Sequence, residues 1–82
     1  MLEIRGVDKM AEHDDELKKL GTIASDLKFT ADIRIKAIEM LGRIGTHEAL
    51  LVLLELAANE KLIREERILA TNQARKIIKS DH

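Results

Sequence analysis

The 82-residue chain contains no cysteine and no proline, and its only aromatic residue is Phe29. Without cysteine it forms no disulfide and no thiolate metal site, and it offers no thiol nucleophile for catalysis. A cytoplasmic location is therefore expected. Because bases stack on exposed aromatic rings, a chain with one aromatic residue is also poorly equipped to bind single-stranded nucleic acid.

Long apolar segments are missing too. The longest, ALLVLLELAA at 49–58, is interrupted by Glu55 and is far shorter than the roughly 20 residues of a membrane-spanning helix. The N-terminus lacks a basic segment followed by an apolar one, so we expect neither a signal peptide nor a membrane anchor. The net charge of -1 creates no overall field that attracts nucleic acid or an anionic membrane.

Charged residues make up 35% of the sequence, and leucine, isoleucine, alanine, glutamate and lysine dominate it. This composition is typical of a helical protein. We therefore expect a single all-α domain over residues 1–82, built from four to five helices. The sequence has no glycine-rich phosphate loop and no serine elbow, which favours a non-enzymatic protein without cofactors.

Apolar residues spaced three or four apart predict two helices in the first half of the chain. The first begins in the acidic cluster 12–16, or as early as Asp8, and presents an apolar face formed by Leu17, Leu20, Ile23, Ala24 and Leu27. The second spans residues 31–43 after a cap at Thr30 or Asp32. It is expected to end at Gly42 and Gly45. Its predicted buried face consists of Ile33, Ala37, Met40, Leu41 and Ile44.

Two more helices are predicted in the second half. Thr46 caps the third helix, which contains the run 49–58, and apolar residues all around its axis should be covered on every side. The fourth runs from Leu62 or Ile63 to Ile78. Its predicted buried face consists of Ile68, Ala70, Ala74, Ile77 and Ile78. Residues 1–13 form an N-terminal segment that we expect to be irregular or partly ordered.

Residues 16–45 match residues 49–78 without a gap after a shift of 33 positions. The identical pairs include Leu17/Leu50, Leu20/Leu53, Ala24/Ala57, Lys28/Lys61, Arg34/Arg67, Ile35/Ile68 and Ala37/Ala70. We interpret the match as two stacked helical hairpins, with alanine where helices approach closely and large aliphatic residues where they fill space. Ankyrin and tetratricopeptide arrays have a similar period, but their signature residues are absent.

The segment 32–50 reads DIRIKAIEMLGRIGTHEAL. It resembles the compact HEAT-like repeat of the phycobilin-lyase type, in which an arginine opens the second helix, alanine and then leucine–glycine follow, and a short turn leads to Glu-Ala-Leu. The resemblance implies one repeat at 14–45, a second at 46–79, and a right-handed helical stack that serves as an interaction surface. The second copy departs from the pattern, because Ala74 and Arg75 replace the leucine and glycine.

His47 and Glu48 suggest a metal site, because HEAT-like enzymes similar to deoxyhypusine hydroxylase bind di-iron through His-Glu pairs. In those enzymes the pairs follow the arginine that opens the second helix. Here Arg34 is followed by Ile35-Lys36, and Arg67 by Ile68-Leu69, none of which ligates iron. We therefore expect no metal: His47 is assigned a capping or solvent role, and the cluster 12–16 is interpreted as an acidic helix start.

Basic residues concentrate in the last helix, where a candidate interaction surface is formed by Arg64, Arg67, Arg75, Lys76 and Lys79. They would suit phosphate contacts, although Glu65 and Glu66 interrupt the face, and a solvated helix surface is the favoured interpretation. For Arg34 and Arg67, a structural role between the two repeats is preferred. We expect them to bind turn carbonyls or neighbouring carboxylates between the two repeats.

Two repeats are fewer than a helical stack normally needs, and each end leaves an apolar face uncovered. We therefore expect a two-fold homodimer. The sequence favours a small non-catalytic protein that acts as a protein–protein interaction module, with an unidentified protein partner. The alternative is a nucleic-acid-associated factor that uses the basic last helix. A third hypothesis is an accessory metal-binding or enzymatic module.

Overall fold

The computed structural model describes residues 16–80, which form four helices and no strand. Helix α1 covers residues 16–25, α2 Ala31–Ile44, α3 His47–Ala57 and α4 Arg64–Ser80. The predicted all-α class is confirmed. The expectations for residues 1–13 and for the start of the first helix lie outside the described residues. Within 16–80, no helix is long and apolar enough to cross a membrane.

The helices begin and end at local signals. Thr46 caps α3 as predicted, because its side-chain oxygen accepts a hydrogen bond from the backbone N–H of Ala49 at 3.1 Å. Gly45 ends α2 with a φ of 68°, a left-handed conformation that glycine adopts without a steric penalty. Gly42 does not end the helix, contrary to the prediction. It lies inside α2, where a Cβ atom would come within 1.9 Å of Oε1 of Gln73 on α4.

We expect Thr46→Ala to lower the free energy of unfolding by about 1 kcal/mol, because the Ala49 N–H loses its capping acceptor. Thr30 is the matched control: it also precedes a helix in extended conformation, but its side chain makes no capping hydrogen bond. Thr30→Ala should therefore have a smaller effect. Urea denaturation followed by circular dichroism measures both values, and equal losses would contradict the capping role of Thr46.

The core lies between the four helices. Its buried apolar side chains are Leu17, Ala24, Ala37, Ile38, Leu41, Ala49, Leu53, Leu56, Leu62, Ala70, Ala74 and Ile77. Helix α3 contributes its Ala49, Leu53 and Leu56 side to this core. The expectation that α3 is covered all around is not met within the described residues, since Leu51 and Leu54 are 50% and 45% exposed.

Three predicted apolar faces need correction. On α2 the buried face contains Arg34 and Ile38, whereas Ile33 and Met40 are about half exposed. On α4 the predicted Ala70, Ala74 and Ile77 are buried, but Ile68 and Ile78 are exposed. Leu27 is exposed as well, because α1 ends at residue 25 and places it in the following turn.

The turn between α1 and α2 and the turn between α3 and α4 make the same hydrogen bonds. In the first, Oδ1 of Asp26 accepts from the N–H of Lys28 at 2.9 Å; in the second, Oδ1 of Asn59 accepts from the N–H of Lys61 at 3.0 Å. The carbonyls of Asp26 and Asn59 also accept from the N–H groups of Phe29 and Leu62, both at 3.1 Å. The first hairpin (α1–α2) and the second hairpin (α3–α4) are therefore connected in the same way.

The two hairpins stack with like helices side by side. Helix α1 approaches α3 at Gly21, where an added Cβ atom would lie 3.0 Å from Cγ1 of Val52. Helix α2 approaches α4 at Gly42 and Gln73. Gly21 and Gly42 thus face the second hairpin, and Val52 and Gln73 face the first.

Candidate functional site

A buried ion pair joins α2 to α4. Nε and Nη2 of Arg34 donate to Oε1 and Oε2 of Glu66, each at 2.9 Å, and Nη1 donates to the carbonyl oxygen of Phe29. Glu66 is fully buried and Arg34 is 7% exposed. The two parallel N–H···O contacts are the bidentate geometry that makes arginine–carboxylate pairs strong and directional. Arg34, on α2, therefore connects the turn between α1 and α2 to helix α4.

The position of each partner in its helix favours the pair. Glu66 lies in the first turn of α4, where the helix dipole favours a negative charge. Its hydrogen bonds to Arg34 raise the pKa of Arg34 above its ordinary value, while burial opposes this rise. Because the pKa of Arg34 is raised in the folded state, the stabilisation is fully present below the unfolded-state pKa and is lost only as the pH rises through the folded-state pKa. The guanidinium is thus charged throughout the physiological range.

From its place in the sequence, Glu66 is interpreted only as an interruption of the basic face of α4. It points into the core and does not interrupt the solvent-facing side of α4. Its counterpart 33 residues earlier is the apolar Ile33. A carboxylate at a position whose counterpart is apolar was the signal that could have identified Glu66 as the partner of Arg34.

Arg67 occupies the position in α4 that Arg34 occupies in α2. The backbone N–H of Arg34 donates to the carbonyl of Thr30, and that of Arg67 donates to the carbonyl of Ile63, in each case four positions earlier. Arg67 is partly buried, and its Nε atom is buried without a hydrogen-bond partner among the described residues. A buried N–H that lacks an acceptor costs free energy, so Arg67 differs from Arg34 in being unsatisfied at this atom.

The shift of 33 residues explains why some apolar side chains are exposed. Glu66 and Gln73 face the first hairpin, so their counterparts Ile33 and Met40 should face away from the second hairpin. They are 45% and 48% exposed. We call this surface, Ile33 and Met40, the N-terminal end face. It is the side of the stack on which a preceding hairpin would pack.

The 33-residue correspondence also defines the opposite end of the stack. Gly21, Arg34 and Gly42 face the second hairpin, so their counterparts Leu54, Arg67 and Arg75 lie on its outer side. Helical spacing places three more α4 residues on that side. We call the resulting surface the C-terminal end face: Leu54, Arg64, Arg67, Ile68, Arg75 and Ile78. All of these except Arg67 are exposed.

The basic candidates from the sequence divide accordingly. Arg64, Arg67 and Arg75 belong to the C-terminal end face, and Lys79, one turn beyond Arg75, extends it. Lys76 is exposed and follows Arg75, so it points to another side of the helix. The end face therefore combines positive charge with large apolar side chains.

The histidine and acidic side chains are the potential metal ligands of the described part of the chain. His47 and Glu48 are exposed in the first turn of α3. Between residues 16 and 80, no three histidine or acidic side chains are grouped so that they could hold a metal ion. Most of the acidic cluster 12–16 lies outside the described residues.

No known protein-family model, no curated protein and no solved structure matches this chain.

Proposed function

We propose that the protein is a small non-catalytic interaction module that binds other polypeptides through the ends of its helical stack. The observation that carries this proposal is the exposure of large aliphatic side chains at both ends, by 45–50% at Ile33, Met40, Leu54, Ile68 and Ile78. Several large apolar side chains exposed at one end of a fold are typical of interaction sites. Repeat stacks bury such surface against a further repeat, a cap or a partner.

The proposal includes two HEAT-like repeats of the phycobilin-lyase type, at 14–45 and 46–79. Three observations support this assignment. The two hairpin turns make the same hydrogen bonds 33 residues apart, like helices lie side by side, and an arginine opens α2 and α4 at equivalent positions. The family pattern has glycine at the position of Arg75. This departure from the pattern lies on the C-terminal end face.

Self-association through the N-terminal end face is part of the proposed function. Beside Ile33 and Met40, charges alternate along α2 in the order Asp32, Lys36, Glu39 and Arg43. A second copy running antiparallel across a two-fold axis pairs Asp32 with Arg43 and Lys36 with Glu39. Because such an interface brings the same patch of both copies together, each pair forms twice. The apolar side chains would be buried beside these pairs.

Light scattering across a dilution series tests self-association. We expect twice the 9.3 kDa mass of the monomer, and a shift to the monomer mass for Met40→Glu, which places a charge in the apolar contact. Met40→Leu is the control and should keep the dimer. A folded wild-type monomer at every concentration would remove self-association from the proposal.

A charge exchange tests the arrangement of the two copies. Asp32→Arg should weaken the dimer by bringing two positive charges together, and adding Arg43→Asp to the same chain should restore it. Restoration is specific to the antiparallel pairing, because either single change alone leaves like charges opposed. If the double variant stays monomeric, the two-fold axis does not cross α2 as proposed.

Nucleic-acid binding is the second candidate function. The exposure of Arg64, Arg75 and Lys79 along one side of α4 supports it. A gel shift with a short duplex should then weaken steeply with salt and be lost when Arg64, Arg67 and Arg75 are replaced by alanine. A protein partner is favoured, because Ile68 and Ile78 interleave with these cations and suit an apolar contact.

A further inference from the structure

From the C-terminal end face we infer that the protein docks an acidic amphipathic helix of a partner protein, one of whose carboxylates pairs with Arg67 as Glu66 pairs with Arg34. This inference rests on the proposed function and specifies the partner's chemistry. It starts from Arg67, whose Nε is buried without a hydrogen-bond partner among residues 16–80. Because Nε is buried, the Arg67 side chain has to turn outward for a partner's carboxylate to supply the missing acceptor.

The contact between α2 and α4 is the internal template for this docking. There, Glu66 binds Arg34 while Ala70 and Ile77 on the same side of α4 are buried. On the second hairpin, Arg67 and Leu54 occupy the positions that Arg34 and Gly21 occupy on the first. The expected partner helix therefore carries a carboxylate, a small residue four positions later and an aliphatic residue a further two turns on.

Charge complementarity indicates an acidic partner. Arg64, Arg67 and Arg75 give the end face three positive charges, and none of its six residues is acidic. A neutral or basic helix would leave these guanidinium groups without counter-charges when it covers them. Arg75 is the counterpart of Gly42, which makes room for Gln73 in the contact between α2 and α4. The partner helix should accordingly have a small or acidic residue at the position that corresponds to Gln73.

A second copy of this chain fits the face poorly. If a copy stacked head to tail, as the first hairpin stacks on the second, Ile33 would lie opposite Arg67 and leave its charge unpaired. If two copies met at this face across a two-fold axis, Arg67 and its neighbours would oppose the same cations. The occupant is therefore a different polypeptide, whereas the N-terminal end face is suited to self-association.

The test is a peptide titration of the full chain. The probe is a helix-stapled peptide with the sequence of α4, in which Gln73 is alanine and the five basic residues, Arg64, Arg67, Arg75, Lys76 and Lys79, are glutamate. The matched peptide differs only by Glu66→Gln. Fluorescence anisotropy should show saturable binding of the first peptide and roughly tenfold weaker binding of the second, because the charged hydrogen bonds to Arg67 are lost.

An Arg67→Met protein completes a double-mutant cycle. It should bind the two peptides equally, since the group that distinguishes them is gone. Circular dichroism would confirm that this variant is folded. The inference fails if the first peptide shows no saturation by roughly 1 mM, or if Arg67→Met preserves the difference between the peptides.

Other occupants give different results. If a short DNA duplex displaces the peptide at physiological salt, the face binds nucleic acid and the inference is overturned. If Leu54→Glu converts a dimer to a monomer, a second copy occupies the face and the inference is equally overturned. A monomer that binds the peptide through Arg67 supports the inference while self-association fails. A dimer that ignores the peptide leaves self-association standing and overturns the inference.

Discussion

Glu66→Ala is expected to leave the protein largely unfolded or with a greatly reduced urea midpoint. The substitution leaves the guanidinium of Arg34 buried without its two carboxylate contacts, and breaking a buried pair in this way costs about 3–5 kcal/mol. The whole stability of a domain of this size is only of the order of 5 kcal/mol. Urea denaturation followed by circular dichroism would measure the loss.

Two control variants separate the ion pair from other effects. Glu65 precedes Glu66 in the same helical turn but is exposed, so Glu65→Ala should change stability by less than about 0.5 kcal/mol. The double variant Arg34→Met, Glu66→Leu removes both charges and fills the space with apolar atoms, so it should recover much of the loss. A wild-type midpoint for Glu66→Ala would mean that the pair contributes nothing to folding.

The ion pair also sets how the hairpins fit together. Arg34 has one nitrogen on a turn carbonyl and two on Glu66, so it holds the first turn and α4 in a fixed relation. Sliding α4 along α2 by one turn would separate the charges and leave both buried. Apolar side chains alone tolerate such shifts more readily, because their contacts are less directional. The register of the two hairpins thus depends on this polar contact.

The helix ends were largely predictable from the sequence because their causes are local. Thr46 provides the oxygen that caps α3, and Gly45 adopts the left-handed conformation that stops α2. Each effect involves residues a few positions apart. Gly42 was misread because a helix end and a close helix contact both use glycine, and only its neighbour Gln73 distinguishes them.

The buried faces were less predictable because they depend on what covers each helix. Ile33 and Met40 fit the apolar spacing of α2, yet they lie where a preceding hairpin would pack and are half exposed. Apolar spacing records every side that a helix buries in its complete assembly. It does not tell which of those sides is covered within residues 16–80, so the exposed members identify the candidate interaction surfaces. Glu66 was missed because charge patterns along a sequence do not reveal a partner 32 positions away.

Leu53→Ala and Leu54→Ala should have very different effects although the residues are adjacent in the apolar run of α3. Leu53 is fully buried, so its truncation leaves a cavity and should cost about 3 kcal/mol. Leu54 is 45% exposed, so Leu54→Ala should cost less than about 1 kcal/mol. Urea denaturation of both variants measures this contrast. If both variants are folded, the peptide titration should show weaker binding for Leu54→Ala but not for Leu53→Ala.

The comparison of these two leucines also tests how α3 is covered in solution. If Leu54→Ala costs as much as Leu53→Ala, the outer side of α3 is already packed against something in the purified protein, and the C-terminal end face is not free. If it costs little, α3 has an apolar side that folding does not require. Leu54 is then free for the proposed docking, where burying one such side chain would contribute about 2 kcal/mol.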